Sequence, residues 1–296
     1  MSTLDVYGDG ADGTPAPSPS RHPSNPPSAA FTTPGAVRTT APRQIWRQFR
    51  YWGTFSRRTW KGTVLSAFIG PLLYLLALGV GLGKLVSGSS ELPGGVTYVS
   101  FVAPGVLAAT AMQNAFTEGT FPVFGSFKWF GNYITAAYTP QRPQDIFAGH
   151  AALALARIVG IEAVFFGFMG VFGTLHSPLA ALALPAAILT AVAFLLPIMA
   201  FTMTLENESG LSTMFRFVSI PLFLFSGTFF PWQQLPGWAH PLVYATPLWH
   251  GVELCRSLTL GTATWGGSLA HVGYLAGLAG LGYGLGRISY RRRLYS

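Results

Sequence analysis

Between residues 63 and 286 the chain carries only 13 charged residues, set among long apolar runs. Soluble domains carry about 25% charged residues. This 296-residue chain has 9%, with 50% hydrophobic. A folded soluble surface would be short of charge, which argues against a soluble enzyme. The net charge of +8 does not point to nucleic acid, because 15 of the 28 charges lie outside residues 63–286. Basic ends on an apolar chain are the pattern of a membrane protein with basic cytoplasmic flanks. The single cysteine, Cys255, excludes an intramolecular disulfide framework and a multi-cysteine metal site.

A membrane helix needs about 20 mostly apolar residues. Runs at 63–82, 98–119, 147–172, 178–203, 211–229 and 269–285 meet that need, the last one Gly-rich. They predict an all-α integral membrane fold with six transmembrane helices, within a transmembrane domain at 62–296. Residues 1–42 hold eight of the 22 prolines, mixed with Ser, Thr, Gly and Ala. Such a segment buries too little apolar surface to offset its ordering entropy, so it reads as a disordered cytoplasmic tail. It lacks the basic-then-apolar order of a signal peptide. At 43–61, Arg43, Arg47, Arg50, Arg57, Arg58 and Lys61 face a stripe of Ile45, Trp46, Phe49, Trp52 and Phe55. That pattern predicts an amphipathic interface helix with its cations near anionic lipid headgroups.

Basic residues set the orientation. With the N-terminus inside, 13 basic residues lie in cytoplasmic segments and only Lys84 and Arg256 in external ones. Both termini are therefore expected in the cytoplasm, in a multi-pass protein of the cell membrane. The connection at 121–146 is then cytoplasmic, and its segment 128–138 is expected as a short helix parallel to the membrane. The connection after the fifth span is external. With Trp232, Trp238 and Trp249 it is too aromatic for a solvated loop, and re-entrant helical hairpins are the expected form.

Charges inside spans are costly and are functional candidates by default. Glu118, Arg157 and Glu162 are those residues. Arg157 and Glu162 are five apart, about 140° around a helix, so they pair poorly. Arg157 with Glu118 is the better pair, read as an ion pair locking two spans. Glu206, Glu208 and Ser209 precede the fifth span, where acidic groups and a hydroxyl suit a helix N-terminus. His250 and Glu253, three apart, could offer two metal ligands. No further ligand accompanies them, so hydrogen bonding is the favoured reading and no metal is expected. No nucleophile–base constellation stands out. A phosphate-cradling loop needs Gly-x-x-x-x-Gly-Lys-Ser/Thr, whereas Gly83-Lys84 is followed by Leu85. The chain has no ATP site of its own.

Several segments resemble the ABC-2-type transporter permeases, the membrane subunits of ABC exporters. These are Phe101-Val102-Ala103-Pro104-Gly105, Leu224-Phe225-Ser226-Gly227-Thr228-Phe229-Phe230-Pro231 with Leu235-Pro236, and the stretch from Ala245 to Arg256. Ala136-Ala137-Tyr138-Thr139-Pro140 with Asp145-Ile146 and Gly149-His150 is also similar, although the family usually has Leu-Ala-Thr-Pro there. The resemblance covers about residues 43–293. Its nearest branches are the nodulation-factor (lipo-oligosaccharide) export permeases and the daunorubicin-resistance type.

The resemblance implies six spans per subunit and a pair of permease copies, most simply a homodimer. It implies two ATP-binding subunits that hold the ATP and Mg and hydrolyse it. A coupling helix would dock on them through Lys128, Trp129, Tyr133, Arg142 and Asp145. External hairpins bearing Phe230, Pro231, Trp249, His250 and Glu253 would close the outer end of the path. Met112, Phe116, Met214, Phe217, Phe223 and Phe225 would lie near the seam, candidates for contact with an amphipathic substrate such as a hydrophobic antibiotic, a glycolipid or a lipo-oligosaccharide, although such side chains in spans more often pack or face lipid. The competing classes are a membrane enzyme acting on lipids and a partner-free channel. The first needs clustered acid–base or metal ligands at one membrane face.

Overall fold

The computed structural model describes residues 97–295 apart from Pro140, Phe230 and Leu235, together with Arg50, Ile69, Leu73 and Ala77. Apart from those four residues, the expected tail at 1–42, the interface helix at 43–61, the span at 63–82, Lys84 and the hairpin residue Phe230 lie outside the described residues.

Among the described residues all regular structure is helical. Helix α1 (Tyr98–Gly119) starts where the Thr97 hydroxyl accepts from the Ser100 amide at 3.4 Å. It is apolar on every side and buried at 17 of its 22 positions, as a helix surrounded by others must be. It continues through a short turn, α2 (Phe121–Phe124), into a π-helical turn at Gly125–Trp129. Gly131, at φ 62°, then reverses the chain into α3 (Asn132–Ala137). The single helix expected at 128–138 is thus broken by a backbone conformation that glycine adopts without strain.

Helix α4 (Pro143–Val171) starts on Pro143, with Asp145 accepting from the Arg142 amide at 3.4 Å. A 3-10 turn (Pro178–Leu182) leads into α5 (Ala183–Thr202). The next run comprises α6 (Ser209–Met214), a π-helical turn (Phe215–Ser219) and α7 (Ile220–Phe225). It ends four residues short of the expected 229, because Gly227 turns at φ 76°. Two helices follow, α8 (His240–Tyr244) and α9 (Pro247–Leu260), and α9 packs back against α1, α5 and the last helix.

The last helix, α10 (Trp265–Leu294), is 30 residues long and overruns the apolar run at 269–285 at both ends. The Thr264 hydroxyl accepts from the Gly267 amide at 3.3 Å. Arg291, Arg292 and Arg293 fill its final turn, where cations suit the helix dipole. Among the described residues three helices, Tyr98–Trp129, Pro143–Val171 and Pro178–Thr202, are long and apolar enough to cross a membrane. Ser209–Phe225 is a shorter apolar helix.

Small residues let these helices approach closely, the usual packing device of membrane bundles. A Cβ on Gly282 of α10 would run into the Pro197 ring of α5, and one on Gly286 into the Phe147 ring of α4. Nothing lies within 4 Å of a Cβ placed on Gly280. Gly282→Ala is therefore expected to destabilise the chain by about 1–3 kcal/mol through overpacking. Gly280→Ala should be neutral or stabilising by up to about 1 kcal/mol through helix propensity. Thermal unfolding in detergent checks this, and equal effects at the two glycines would contradict the packing.

Candidate functional site

The site is best built from the end of the bundle where α1 turns into α3. Lys128, on the π-helical turn, places Nζ 2.9 Å from Glu206 Oε2. Arg293, at the end of α10, donates to Glu206 Oε1 as well, and to the carbonyls of Met203 at 3.1 Å and Thr204 at 3.0 Å. Trp129 Nε1 donates to Glu208 Oε1 at 3.1 Å. Hydrogen bonds from Lys128 and Arg293 hold the Glu206 carboxyl below its ordinary range. The expected capping role of Glu206, Glu208 and Ser209 is thus corrected. Helix α6 starts without a side-chain cap, because the two carboxylates reach sideways to cations and an indole instead.

Trp129 (49% exposed), Phe130 (67%) and Tyr138 (88%) stand on the outside of this end. Tyr133 does not. It is fully buried, with its hydroxyl bonded to His150 of α4 and, at 3.2 Å, to the Tyr290 hydroxyl of α10. It ties α3 to the bundle and presents nothing to a partner. Asp145 is buried at the start of α4, whereas Arg142 is exposed. The five residues grouped in sequence as a docking surface are therefore split between exposed and structural positions.

Inside the bundle, Arg157 of α4 reaches both oxygens of Glu118 of α1 from Nη1, at 2.9 and 3.2 Å. Glu162, one helical turn and more along α4, is 0% exposed and turned to α1. It accepts from Thr110 Oγ1 and Asn114 Nδ2, both at 3.1 Å. One carboxylate thus has a cation and the other two neutral donors, and both clamp α1 to α4.

The residues expected along a substrate path also divide. Met112 and Phe116 are enclosed, with Phe116 packed on Phe194 and Phe215 at 6.0 and 5.7 Å between ring centres. They belong to the core. Met214 and Phe223 are half-buried, and Phe217 and Phe225 are exposed. Helix α7 has no buried residue.

At the opposite end sits a residue that sequence reasoning passed over as an external charge. Arg256 of α9 is 6% exposed. Its Nη1 lies 2.7 Å from Glu253 Oε1, its Nη2 donates to the Gly227 carbonyl at 2.8 Å, and its Nε donates to the Phe101 carbonyl at 3.3 Å. The guanidinium carbon lies 3.9 Å from the centre of the Phe101 ring. Gly105 must lack a side chain here, since a Cβ would sit 2.9 Å from the Thr228 carbonyl oxygen. The segments Phe101–Gly105, Ser226–Thr228 and Glu253–Arg256 therefore meet at one guanidinium. The available signal was the i, i+3 spacing of Glu253 and Arg256 in an apolar stretch.

Glu253 is thus committed to Arg256. His250 bonds to the Tyr244 carbonyl at 3.0 Å and to His271 at 2.8 Å between Nδ1 atoms, and stacks on Tyr274 at 4.0 Å. Trp249 packs on Tyr244 and Trp232, and Pro231 is buried. Among the described residues no group of three or more His, Cys, Asp or Glu is gathered for a metal.

Long apolar helices, with their charges paired inside or gathered at the ends, define a helical membrane protein. Residues 44–260 match the family described as ABC-2 type transporter, and the chain belongs to that family. Its members are membrane transport components that typically work with a separate ABC ATP-binding subunit. Nodulation protein J of Rhizobium leguminosarum bv. trifolii is 31% identical over 212 residues, covering 68% of this chain and 77% of that protein. Nodulation protein J of Rhizobium meliloti (strain 1021) is 28% identical over 245 residues, 79% of this chain and 89% of that protein. The Sinorhizobium fredii protein of the same name is 27% identical over 259 residues, 86% of this chain and 97% of that protein.

Removing Arg256 strands Glu253 and the carbonyls of Phe101 and Gly227. Arg256→Met is expected to cost about 3–5 kcal/mol, the range for breaking a buried pair. Arg256→Lys should recover only part of this, since an ammonium cannot reproduce the planar fork. Denaturant unfolding in detergent checks the order. Full stability of Arg256→Met would contradict it.

Proposed function

We propose that the chain is the membrane subunit of an ATP-driven exporter. Two copies form the path, and two ATP-binding subunits, carrying the ATP and Mg, attach at the end bearing Trp129, Phe130 and Tyr138. That end faces the cytoplasm and both termini lie on its side, because the basic residues gather there. The substrate is amphipathic: a hydrophobic antibiotic, a glycolipid or a lipo-oligosaccharide. Family membership and the relatives named for nodulation support this reading.

The observation that carries it is the pair of links between Lys128 and Glu206 and between Trp129 and Glu208. They join the exposed aromatic surface to the turn that starts α6. The run from α6 to α7 bears the exposed Phe217 and Phe225, an apolar flank that a second copy would cover. A push on Trp129 would thus reach the seam through two side-chain links and one helix.

Lys128→Met with Trp129→Phe cuts both links and leaves the core filled. Coupling between sites amounts to roughly 1–3 kcal/mol, about 5–150-fold. In the reconstituted complex, ATP hydrolysis should persist while transport per ATP falls by about tenfold or more. Transport at the unmodified rate by the double variant would contradict the coupling route.

A further inference from the structure

Between the start of α4 and the last turns of α10 lies a cleft of about 1070 Å³. Arg142, Arg287, Arg291 and Arg292 line it, with Gln144 and Ile288. Among the described residues no carboxylate lines it, and none pairs with any of these four arginines. The neighbouring acids are committed elsewhere. Asp145 is buried against the Arg142 amide, and Glu206 is held by Lys128 and Arg293. Arg287 is oriented by a hydrogen bond to Gln144 Oε1 at 3.0 Å and lies over the Tyr283 ring. Four guanidiniums that line one cleft with no counter-charge among the described residues repel one another, and an anion between them relieves that repulsion.

The cleft is also not an isolated basic patch. Leu281, Leu285 and Ile288 are exposed on α10 and lead to Arg292 at steps of three or four residues, so they form one stripe. From Leu281 to Ile288 this stripe climbs roughly 10 Å into the apolar part of the bundle. Gly284 beside it leaves open space, with nothing within 4 Å of a Cβ placed there. An anionic site at one end and a greasy stripe at the other match a lipid, with its headgroup low and its chain along the helix. A free anion has no use for the stripe.

We propose that this cleft binds an anionic phospholipid of the adjoining leaflet. Its phosphodiester sits among Arg142, Arg287, Arg291 and Arg292, and an acyl chain lies along Leu281, Leu285 and Ile288. Basic pockets between membrane helices favour such headgroups. The site holds whatever the chain transports, so it does not rest on the exporter reading. Arg293 takes no part, being occupied by Glu206 and two carbonyls.

The test uses the full chain in mild detergent, titrated with dioleoylphosphatidylglycerol or dioleoylphosphatidylcholine, with bound lipid counted by native mass spectrometry. Phosphatidylglycerol should bind in preference, and added salt should weaken it. Arg287→Gln, Arg291→Gln and Arg292→Gln should each lower its affinity about fivefold and leave phosphatidylcholine unaffected. Equal binding of the two lipids, or arginine variants with unchanged preference, would overturn the proposal. So would displacement of the lipid by equimolar inorganic phosphate, which would mark a site for free anions. Should any of these variants fail to fold, the salt dependence and the phosphate competition on the unmodified chain decide alone.

Discussion

A guanidinium shut inside a bundle of apolar helices must have its donors satisfied, because an uncompensated buried charge is among the most destabilising things a fold can contain. Arg256 meets that demand with one carboxylate, carbonyls from two other segments and an aromatic face. The partners come from α1, from the turn after α7 and from α9 itself. None of these can shift far without stranding the charge. One side chain thus ties the turn at Gly227 and the start of α1 to α9, beside the buried Leu248, Val252, Leu254 and Cys255 that pack α9 into the core.

The same economy governs the other charges. Glu118 and Arg157 neutralise each other across α1 and α4, and Glu162 is met by Thr110 and Asn114 on the same interface. Where α10 crosses α5, glycine and proline replace charge as the contact, and helix backbones approach closely. The interior is thus held by a few polar clamps and by small residues, the means open to a bundle whose surroundings are as apolar as its core. At the basic end the logic reverses. Lys128, Arg293, Glu206 and Glu208 are partly in water, so they serve as positional links between the π-helical turn at Gly125–Trp129, the turn before α6 and the end of α10 more than as sources of stability.

Much of the helical layout was legible because apolar run length governs it. The expected run at 98–119 is the helix Tyr98–Gly119. Errors arose where backbone geometry, which hydropathy does not register, ends or extends a helix. Gly227 stops α7 early, Gly131 splits the expected helix at 128–138, and three arginines prolong α10. The site was legible in part. Trp129 was expected on a surface and stands on one, whereas Tyr133 has the same aromatic character and is buried by His150 and Tyr290, far away in sequence. Arg256 was illegible as a node because its acceptors outside α9 are main-chain carbonyls at positions 101 and 227, which carry no side-chain signature.

We propose that this chain moves an amphiphile across a membrane only when a separate ATP-binding subunit drives it. The direct measurement is uptake of a fluorescent amphiphile into inside-out proteoliposomes containing the chain with or without an ABC ATP-binding subunit. Uptake is expected only with both proteins and hydrolysable ATP present, with no ATP turnover by the chain alone. Equal uptake without the second protein, or ATP hydrolysis by the isolated chain, would contradict it.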